Sequence, residues 1–266
     1  MADCGKRFAN FSVNFLTKMN IPELVERKFL FAPDQPVTAP LFEIVIAQNG
    51  VFKRARRLEM TAAVEVSAFA VKIPELAVCT AQVELPEKIP AQIFEQILAH
   101  ARNSTDAGNF TENLYAVCWN VQNRTYCWKE ISGKRSFAST IARDDEPAYQ
   151  QAVLEIHTHP PGCFNFSHSD DRDESGKFRL FGILVDIHAS KPAIRLRVGI
   201  YDSFWEIPVE TVADTPLENI NDLVEQEREM LAQIFQDLGE ERQTYLFDQE
   251  FLHAANTENL PYVENL

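Results

Sequence analysis

The alternation of hydrophobic and polar residues divides the chain into many segments with strand periodicity and two with helical periodicity. Apolar residues recur at three- and four-residue spacing over residues 90–101 and again over residues 215–238, as in helices with one buried face. Short apolar or alternating runs bounded by turn residues predict strands elsewhere. The predicted strands are residues 41–47, 51–55, 64–71, 112–119, 124–128, 153–156, 180–187, 194–201 and 204–207. The pattern predicts an α/β chain of the α+β kind, with a central mixed sheet and flanking helices.

The order of the segments predicts two units followed by a C-terminal helix. The regular elements predicted within residues 1–85 are all strands. Two of them flank Asn49-Gly50, a strong hairpin signal. This part is expected to be a smaller β-rich N-terminal domain, with residues 83–90 as a linker because Pro86 and Pro90 break regular structure. Residues 86–212 are expected to form the second domain. Residues 213–266 are expected to supply an acidic amphipathic helix and tail, the helix packing on the core rather than binding a partner.

Composition narrows the class of protein. The chain of 266 residues is 45% hydrophobic and 24% charged, which is ordinary for a globular protein. Its net charge of −14 disfavours nucleic acid as a partner, because an acidic chain repels a phosphate backbone. A basic cluster remains on one hairpin arm at Lys53, Arg54, Arg56 and Arg57, and we interpret it as a solvated strand edge.

The same sequence predicts a cytoplasmic protein. No run approaches the eighteen or so apolar residues that span a membrane, and residues 1–7 do not look like the start of a secretory signal. The five cysteines are an odd number at spacings that match no disulfide or zinc framework, so we expect reduced thiols.

One short motif carries metal chemistry. His157 and His159 end an apolar run, and on a strand residues i and i+2 point to the same side. After Pro160 the chain can turn back and bring Ser167 and Asp170 to the same point. Two imidazoles and a carboxylate can supply three ligands to zinc and leave a fourth position for water, as in catalytic sites. A bound zinc ion lowers the pKa of its water to about 7.

This H-x-H-x7-S-x-x-D pattern resembles the JAMM (JAB/MPN) metalloprotease family, whose members cleave peptide or isopeptide bonds, often beside ubiquitin or a ubiquitin-like protein. The resemblance implies a JAB/MPN-type fold, zinc held by His157, His159 and Asp170, and Ser167 as the residue that supports the oxyanion. Family members also have an upstream glutamate that acts as the base, at the start of a strand that follows an amphipathic helix. The matching position is Glu112.

Two details of this site remain open in the sequence. Glu155 is a rival for the base because it lies two residues before His157 on the same predicted strand face. Cys163 lies within the predicted metal loop, where it either adds or competes as a ligand or, as we favour, fills space.

A broader resemblance extends over roughly residues 40–210. Residues 47–57, 169–174, 178–182 and 194–201 are similar to the family of PRTRC system protein A, a JAB-domain protein of plasmids and other mobile elements. The gene neighbourhoods of that family also encode an E1-like (ThiF-type) activating enzyme, a ubiquitin-like protein and a ParB-like protein. The resemblance implies a ubiquitin-like protein as substrate and the E1-like enzyme as a partner.

Two other functions fit parts of the sequence. Some JAMM relatives have lost their ligands and act as scaffolds, whereas every site position is filled here. The run from His157 to Gly162 also resembles the H-x-H-P-x-G motif of the RadC-like branch, which is linked to DNA processes, but the negative net charge disfavours that reading.

Overall fold

The computed structural model describes residues 24–104, 110–131, 133–135, 140–142 and 146–238. Within these residues the protein has an α+β fold with two larger sheets, both mixed, and four α-helices. The predicted fold class is therefore confirmed at that level.

The first sheet is formed by β1 to β5, hydrogen-bonded in sequence order. β1 and β2 are parallel and the remaining pairs are antiparallel. Gly50 starts β3 where a side chain has no room, because a Cβ atom there would lie 2.4 Å from the Ser67 carbonyl oxygen. The strands are β1 Val25–Phe29, β2 Phe42–Ile46, β3 Gly50–Arg57, β4 Met60–Ala68 and β5 Gln82–Glu84. β5 occupies the start of the predicted linker.

The second sheet has the order β13-β12-β11-β10-β6-β7, with β14 beside β12. β10 and β11 are parallel, as are β12 and β14, and the other pairs are antiparallel. A small hairpin, β8–β9, lies apart from it. The strands are β6 Leu114–Asn120, β7 Thr125–Glu130, β8 Gly133–Arg135, β9 Thr140–Ala142, β10 Leu154–Thr158, β11 Lys177–Val185, β12 Ala193–Tyr201, β13 Ser203–Ile207 and β14 Asn221–Asp222.

The helices are α1 Ala91–Ser104, α2 Pro147–Gln150, α3 His168–Glu174 and α4 Leu223–Leu238, with a 3-10 turn at Val209–Thr211. α1 buries the apolar face that its periodicity predicts: Ile93, Phe94, Ile97, Leu98 and Ala101. Among the described residues, no helix is both long enough and apolar enough to cross a membrane.

One hydrophobic core extends across both sheets. Met60, Val64 and Val83 of the first sheet belong to the same buried cluster as Phe94 of α1 and Leu196 of β12. A second, smaller cluster lies within the first sheet alone. The division of the chain at residue 85 stays a prediction, and the main core is common to both sides of it.

The interpretation of the basic cluster as a solvated edge was wrong. β3 is the central strand of its sheet, and Lys53 and Arg54 are 5% and 6% exposed. Arg54 donates from Nε to Oε1 of Glu43 at 2.7 Å, and Lys53 pairs with Asp202 in the turn between β12 and β13. Buried cations persist when they are paired, so these two are structural. Of the four, only Arg56 is exposed.

The C-terminal helix begins later than predicted. It starts at Leu223 because Oδ1 of Asp222 caps it, accepting from the Val224 amide at 3.0 Å and the Glu225 amide at 3.3 Å. Val224 is buried, whereas Met230 and Ile234 are 63% and 45% exposed. The expected packing on the core therefore holds for the start of this helix and not for those two residues.

Candidate metal centre

The two histidines lie at the carboxyl end of a buried central strand. β10 is hydrogen-bonded on both sides, to β6 and to β11, and all five of its residues are buried. His157 is on the strand. His159 follows its end, and its amide donates to the Leu184 carbonyl at 2.9 Å, so the hydrogen bonding to β11 continues one residue further. Thr158 lies between them, and the two imidazoles face each other as the two-residue spacing predicts.

The loop after Pro160 returns the chain to the histidines. Gly162 has a φ of +79°, a conformation that suits glycine, and its amide donates to Oδ1 of Asp186 at 2.9 Å. Further along the loop, Arg195 donates from Nε to the Phe164 carbonyl at 3.0 Å. These two contacts hold the loop that leads into α3, which begins at His168.

A capping box orients the carboxylate. Ser167 is the N-cap of α3, and its Oγ accepts from the Asp170 amide at 3.2 Å. In the opposite direction, the Ser167 amide donates to Oδ2 of Asp170 at 2.6 Å. Because Asp170 is the third residue of the helix, this reciprocal pair aims its carboxylate back at the N-terminus.

The three side chains converge. Nε2 of His157 and Nε2 of His159 are 2.9 Å apart. Oδ1 of Asp170 lies 3.2 Å from Nε2 of His157, and Oδ2 lies 3.3 Å from Nε2 of His159. Among the described residues this is the one group of three or more potential ligands that come together, and Cys163 is not part of it.

The donor atoms fit a zinc ion. Nδ1 of His159 lies 3.0 Å from the Cys163 carbonyl, which can only accept, so Nδ1 carries the proton. The ring that binds a metal is the neutral one, in which Nε2 presents a lone pair to the other imidazole and to Asp170. Without a metal, a protonated Nε2 donates to Asp170 instead. In a tetrahedral site with bonds of about 2.0–2.1 Å, ligand atoms lie roughly 3.3 Å apart. The two nitrogen–oxygen separations, 3.2 and 3.3 Å, match that value, whereas the two nitrogens at 2.9 Å are closer together than it requires.

The ligands also polarise each other. Burial raises the pKa of Asp170, but hydrogen bonds from His157 and His159 outweigh that effect and hold this pKa well below its usual range. Burial lowers the pKa of His159, and the hydrogen bond with Asp170 more than offsets it, so the net pKa is raised. Asp170 is therefore an ionised carboxylate at neutral pH, the form that binds a metal.

Glu112 lies beside this group, just before β6 rather than on it. Its neighbour Asn113 is held to β10 by two hydrogen bonds: the Asn113 amide donates to Oγ1 of Thr158 at 2.9 Å, and the Thr158 amide donates to the Asn113 carbonyl at 3.0 Å. Glu112 is 5% exposed, and burial raises its pKa to about 7. His159 opposes that rise and Asp170 adds to it, which places the carboxyl within electrostatic reach of both.

Glu155 is engaged elsewhere. Its Oε2 lies 3.0 Å from Nη1 of Arg179 and 3.4 Å from Nζ of Lys177. Tyr149 donates from its hydroxyl to Oε1 at 3.4 Å. Both of its carboxylate oxygens therefore already have partners away from the histidines. The geometry therefore favours Glu112 over this rival.

Ser167 and Cys163 stand near the ligands in different ways. The Ser167 side chain is exposed and its Oγ lies 2.8 Å from Oγ of Ser169, a pair in which either hydroxyl can be the donor. Cys163 is an exposed free thiol whose backbone carbonyl, not its sulfur, contacts His159.

Sequence reasoning missed the support behind α3. Arg197 of β12 donates from Nη1 to Asp171 at 2.6 Å and from Nε to the buried Glu174 at 2.8 Å. Its guanidinium carbon lies 3.8 Å from the centre of the Phe166 ring and 4.1 Å from that of Phe204. The alternation of arginines in β12 was the available signal, since a charge in a buried strand needs a partner.

Comparisons with known proteins leave this site to be judged on its own geometry. No protein-family model matches the chain, and no curated protein matches it. The solution structure of protein DSY2949 from Desulfitobacterium hafniense is similar over 49% of this chain and 94% of that one, with 18% identity and a TM-score of 0.35. A similarity this weak gives no information about the function of this chain.

Proposed function

We propose that the protein is a zinc metallopeptidase of the JAMM type that hydrolyses a peptide or isopeptide bond. The observation that carries the proposal is the convergence of His157, His159 and Asp170, whose ligand atoms all lie within 4.8 Å of one another. A buried glutamate beside them supplies the group that a hydrolase needs in addition to a metal.

His157, His159 and Asp170 would hold the ion. Bound there, zinc supplies a water activated for attack and a Lewis acid for the scissile carbonyl. The second ring nitrogen of His159 is held by the Cys163 carbonyl, and Asp170 is held by the Ser167 amide. These outer contacts orient the ligands before the metal arrives.

Glu112 is the proton carrier in this proposal. Its carboxylate accepts a proton from the attacking water and passes it to the leaving amine. A pKa of about 7 suits a group that both takes and returns a proton near neutral pH. Ser167 donates its hydroxyl hydrogen to the oxyanion that forms on the substrate carbonyl.

The substrate and setting follow from the family resemblance. We propose a ubiquitin-like protein as substrate, an E1-like (ThiF-type) enzyme of the same system as a partner, and a cytoplasmic location. The JAB/MPN type of the fold and membership of the PRTRC protein A family are part of the same proposal. The chain's net charge of −14 supports a protein substrate over nucleic acid.

The first experiment measures zinc per chain in the wild type, His159→Ala and the exposed His188→Ala. We expect about one zinc in the wild type and in His188→Ala, and loss in His159→Ala. Equal and negligible zinc in all three after metal is supplied would move the protein to the scaffold class.

The second experiment tests catalysis. Glu112→Gln should retain zinc and lose cleavage of ubiquitin-like fusions by about a hundredfold or more, followed by mass spectrometry of the products. Glu229→Gln, an exposed change on α4, is the matched control. Unchanged cleavage by Glu112→Gln would remove Glu112 from the mechanism.

A further inference from the structure

A polar cleft, separate from the candidate metal centre, lies at the junction of the two sheets. It has a volume of about 300 Å³ and is lined by the end of β3, the start of β11 and the end of β12. Lys177 to Arg179 line the cleft at the start of β11, and Ile183 pairs with His157, so about 13–20 Å of strand separates this cleft from the histidines. It is therefore a different site from the candidate metal centre.

The walls of the cleft are basic. Its lining includes four cationic side chains, Arg56, Arg57, Lys177 and Arg179, and no acidic one. Two carboxylates lie behind them: Glu155 is ion-paired with Arg179 and Lys177, and Glu59 is paired with Arg57. Two positive charges are left in excess, in a chain whose overall net charge is −14.

Arg56 and Arg179 make different contributions to the cleft. Arg56 is exposed, and within the described parts of the chain its side chain has no ion pair or hydrogen bond. Arg179 is only 6% exposed, and its Nε is buried without a partner. Because that Nε has no surface open to solvent, Arg179 contributes positive charge to the cleft wall rather than an accessible Nε–H donor.

Arg57 has a different role at the same place. It donates to the carbonyls of Phe178 at 3.0 Å and Ala152 at 3.0 Å, and to Glu59 at 2.9 Å. It therefore holds the two sheets together and brings Arg56 up to the start of β11. Its charge still adds to the positive potential of the cleft.

We propose that this cleft binds the phosphate group of a small organic molecule. Guanidinium groups match the oxygens of phosphate in paired, charge-assisted hydrogen bonds, and the exposed Arg56 offers such donors beside the positive charges of Arg57, Lys177 and Arg179. The volume exceeds what a bare phosphate needs and lies at the small end of ligand pockets. Leu41, Phe178 and Tyr201 form apolar walls for the rest of the molecule. The inference is independent of the proposed peptidase activity.

The experiment titrates inorganic phosphate, pyrophosphate and citrate into the full chain by calorimetry. Arg56→Gln removes an exposed strand arginine of the cleft, and Arg27→Gln removes an exposed strand arginine of the same sheet outside it. We expect the affinity for pyrophosphate to fall about five- to tenfold in Arg56→Gln and to be unchanged in Arg27→Gln. Binding at the metal centre would be common to all three proteins and cancels in the comparison.

Lys177→Gln provides a second variant, which removes one positive charge from the wall of the cleft. It too should weaken pyrophosphate binding without lowering the melting temperature by more than a few degrees. The proposal is overturned by absence of phosphate and pyrophosphate binding at millimolar concentration, by equal affinity in Arg56→Gln and Arg27→Gln, or by tighter binding of citrate than of pyrophosphate.

Discussion

Glu112 has surroundings that make its protonation visible in the stability of the metal-free protein. Burial raises its pKa from 4.5 to about 7, so the folded protein holds this proton more tightly than the unfolded chain does. The stability from this group is complete below pH 4.5 and is lost as the pH rises through 7. Glu112→Gln imitates the protonated form and does not lose it.

We therefore expect the free energy of unfolding of Glu112→Gln, relative to wild type, to rise by about 2 kcal/mol between pH 5 and pH 8.5. Denaturant unfolding in the presence of a chelator measures it. Taking the difference between the two proteins cancels titrations common to both. A difference that stays constant across this range would mean that the carboxyl is not desolvated.

The sequence was informative about residues whose chemistry is local. His157 and His159 are two apart on a strand, which places both side chains on one face whatever surrounds them. Lys53 and Arg54 were misjudged because their partners are not local. Glu43 lies on the adjacent strand, and Asp202 lies 149 residues further along the chain than Lys53.

At the scale of the element, α3 joins a structural cap to a candidate ligand. Ser167→Ala removes the acceptor of the Asp170 amide and loosens the helix start that aims the Asp170 carboxylate. We expect about 1 kcal/mol lower stability, and zinc affinity lower by about tenfold, because outer contacts orient metal ligands.

Ser175→Ala is the matched control, since Ser175 is an exposed serine at the other end of the same helix. Competition with a chromophoric chelator measures zinc affinity in both variants. Equal zinc affinity in Ser167→Ala and Ser175→Ala would show that Asp170 is positioned without the cap.

A further prediction concerns Arg197 of β12, whose side chain is hydrogen-bonded to Asp171 and Glu174 of α3. Glu174 is 3% exposed, and burial raises its pKa to about 8 even beside Arg197, so Arg197→Met leaves a buried carboxyl that takes up a proton and lacks its hydrogen-bond donors. We expect a loss of about 1–3 kcal/mol in the free energy of unfolding. Adding Glu174→Met should recover part of that loss, because the unsatisfied buried polar group is then gone. Denaturant unfolding of the single and double variants measures both, and a double variant no more stable than Arg197→Met would contradict the explanation.

The two long helices show how far periodicity predicts an element. α1 begins directly after Pro90, and the face that its periodicity marks as apolar is the face that is buried. The second apolar stripe continues upstream of its helix, because Ile220 is buried although it precedes α4. Helical spacing alone could not reveal that Asn221 and Asp222 pair with β12 and that Asp222 then caps the helix.

Over the whole molecule, the shared core predicts that both sheets unfold together. All three tryptophans, Trp119, Trp128 and Trp205, lie in strands of the second sheet, whereas Met60 is 2% exposed in the first. Met60→Ala should lose about 2–5 kcal/mol and lower the tryptophan fluorescence midpoint as much as the far-ultraviolet circular dichroism midpoint.

Leu58→Ala, at a residue that is 77% exposed, should leave both midpoints in place. If the fluorescence midpoint were unmoved in Met60→Ala while the dichroism midpoint fell, the first sheet would unfold alone.

The continuity of this core also limits how such a chain can be recombined. A hybrid joined near residue 85 to the second half of a relative would set one lineage's Val64 and Val83 against another's Phe94. Arg57 of one protein would also have to donate its hydrogen bond to the carbonyl of residue 178 of the other. The halves are then expected to be interchangeable only when their facing residues are transplanted with them, as for two parts of one domain.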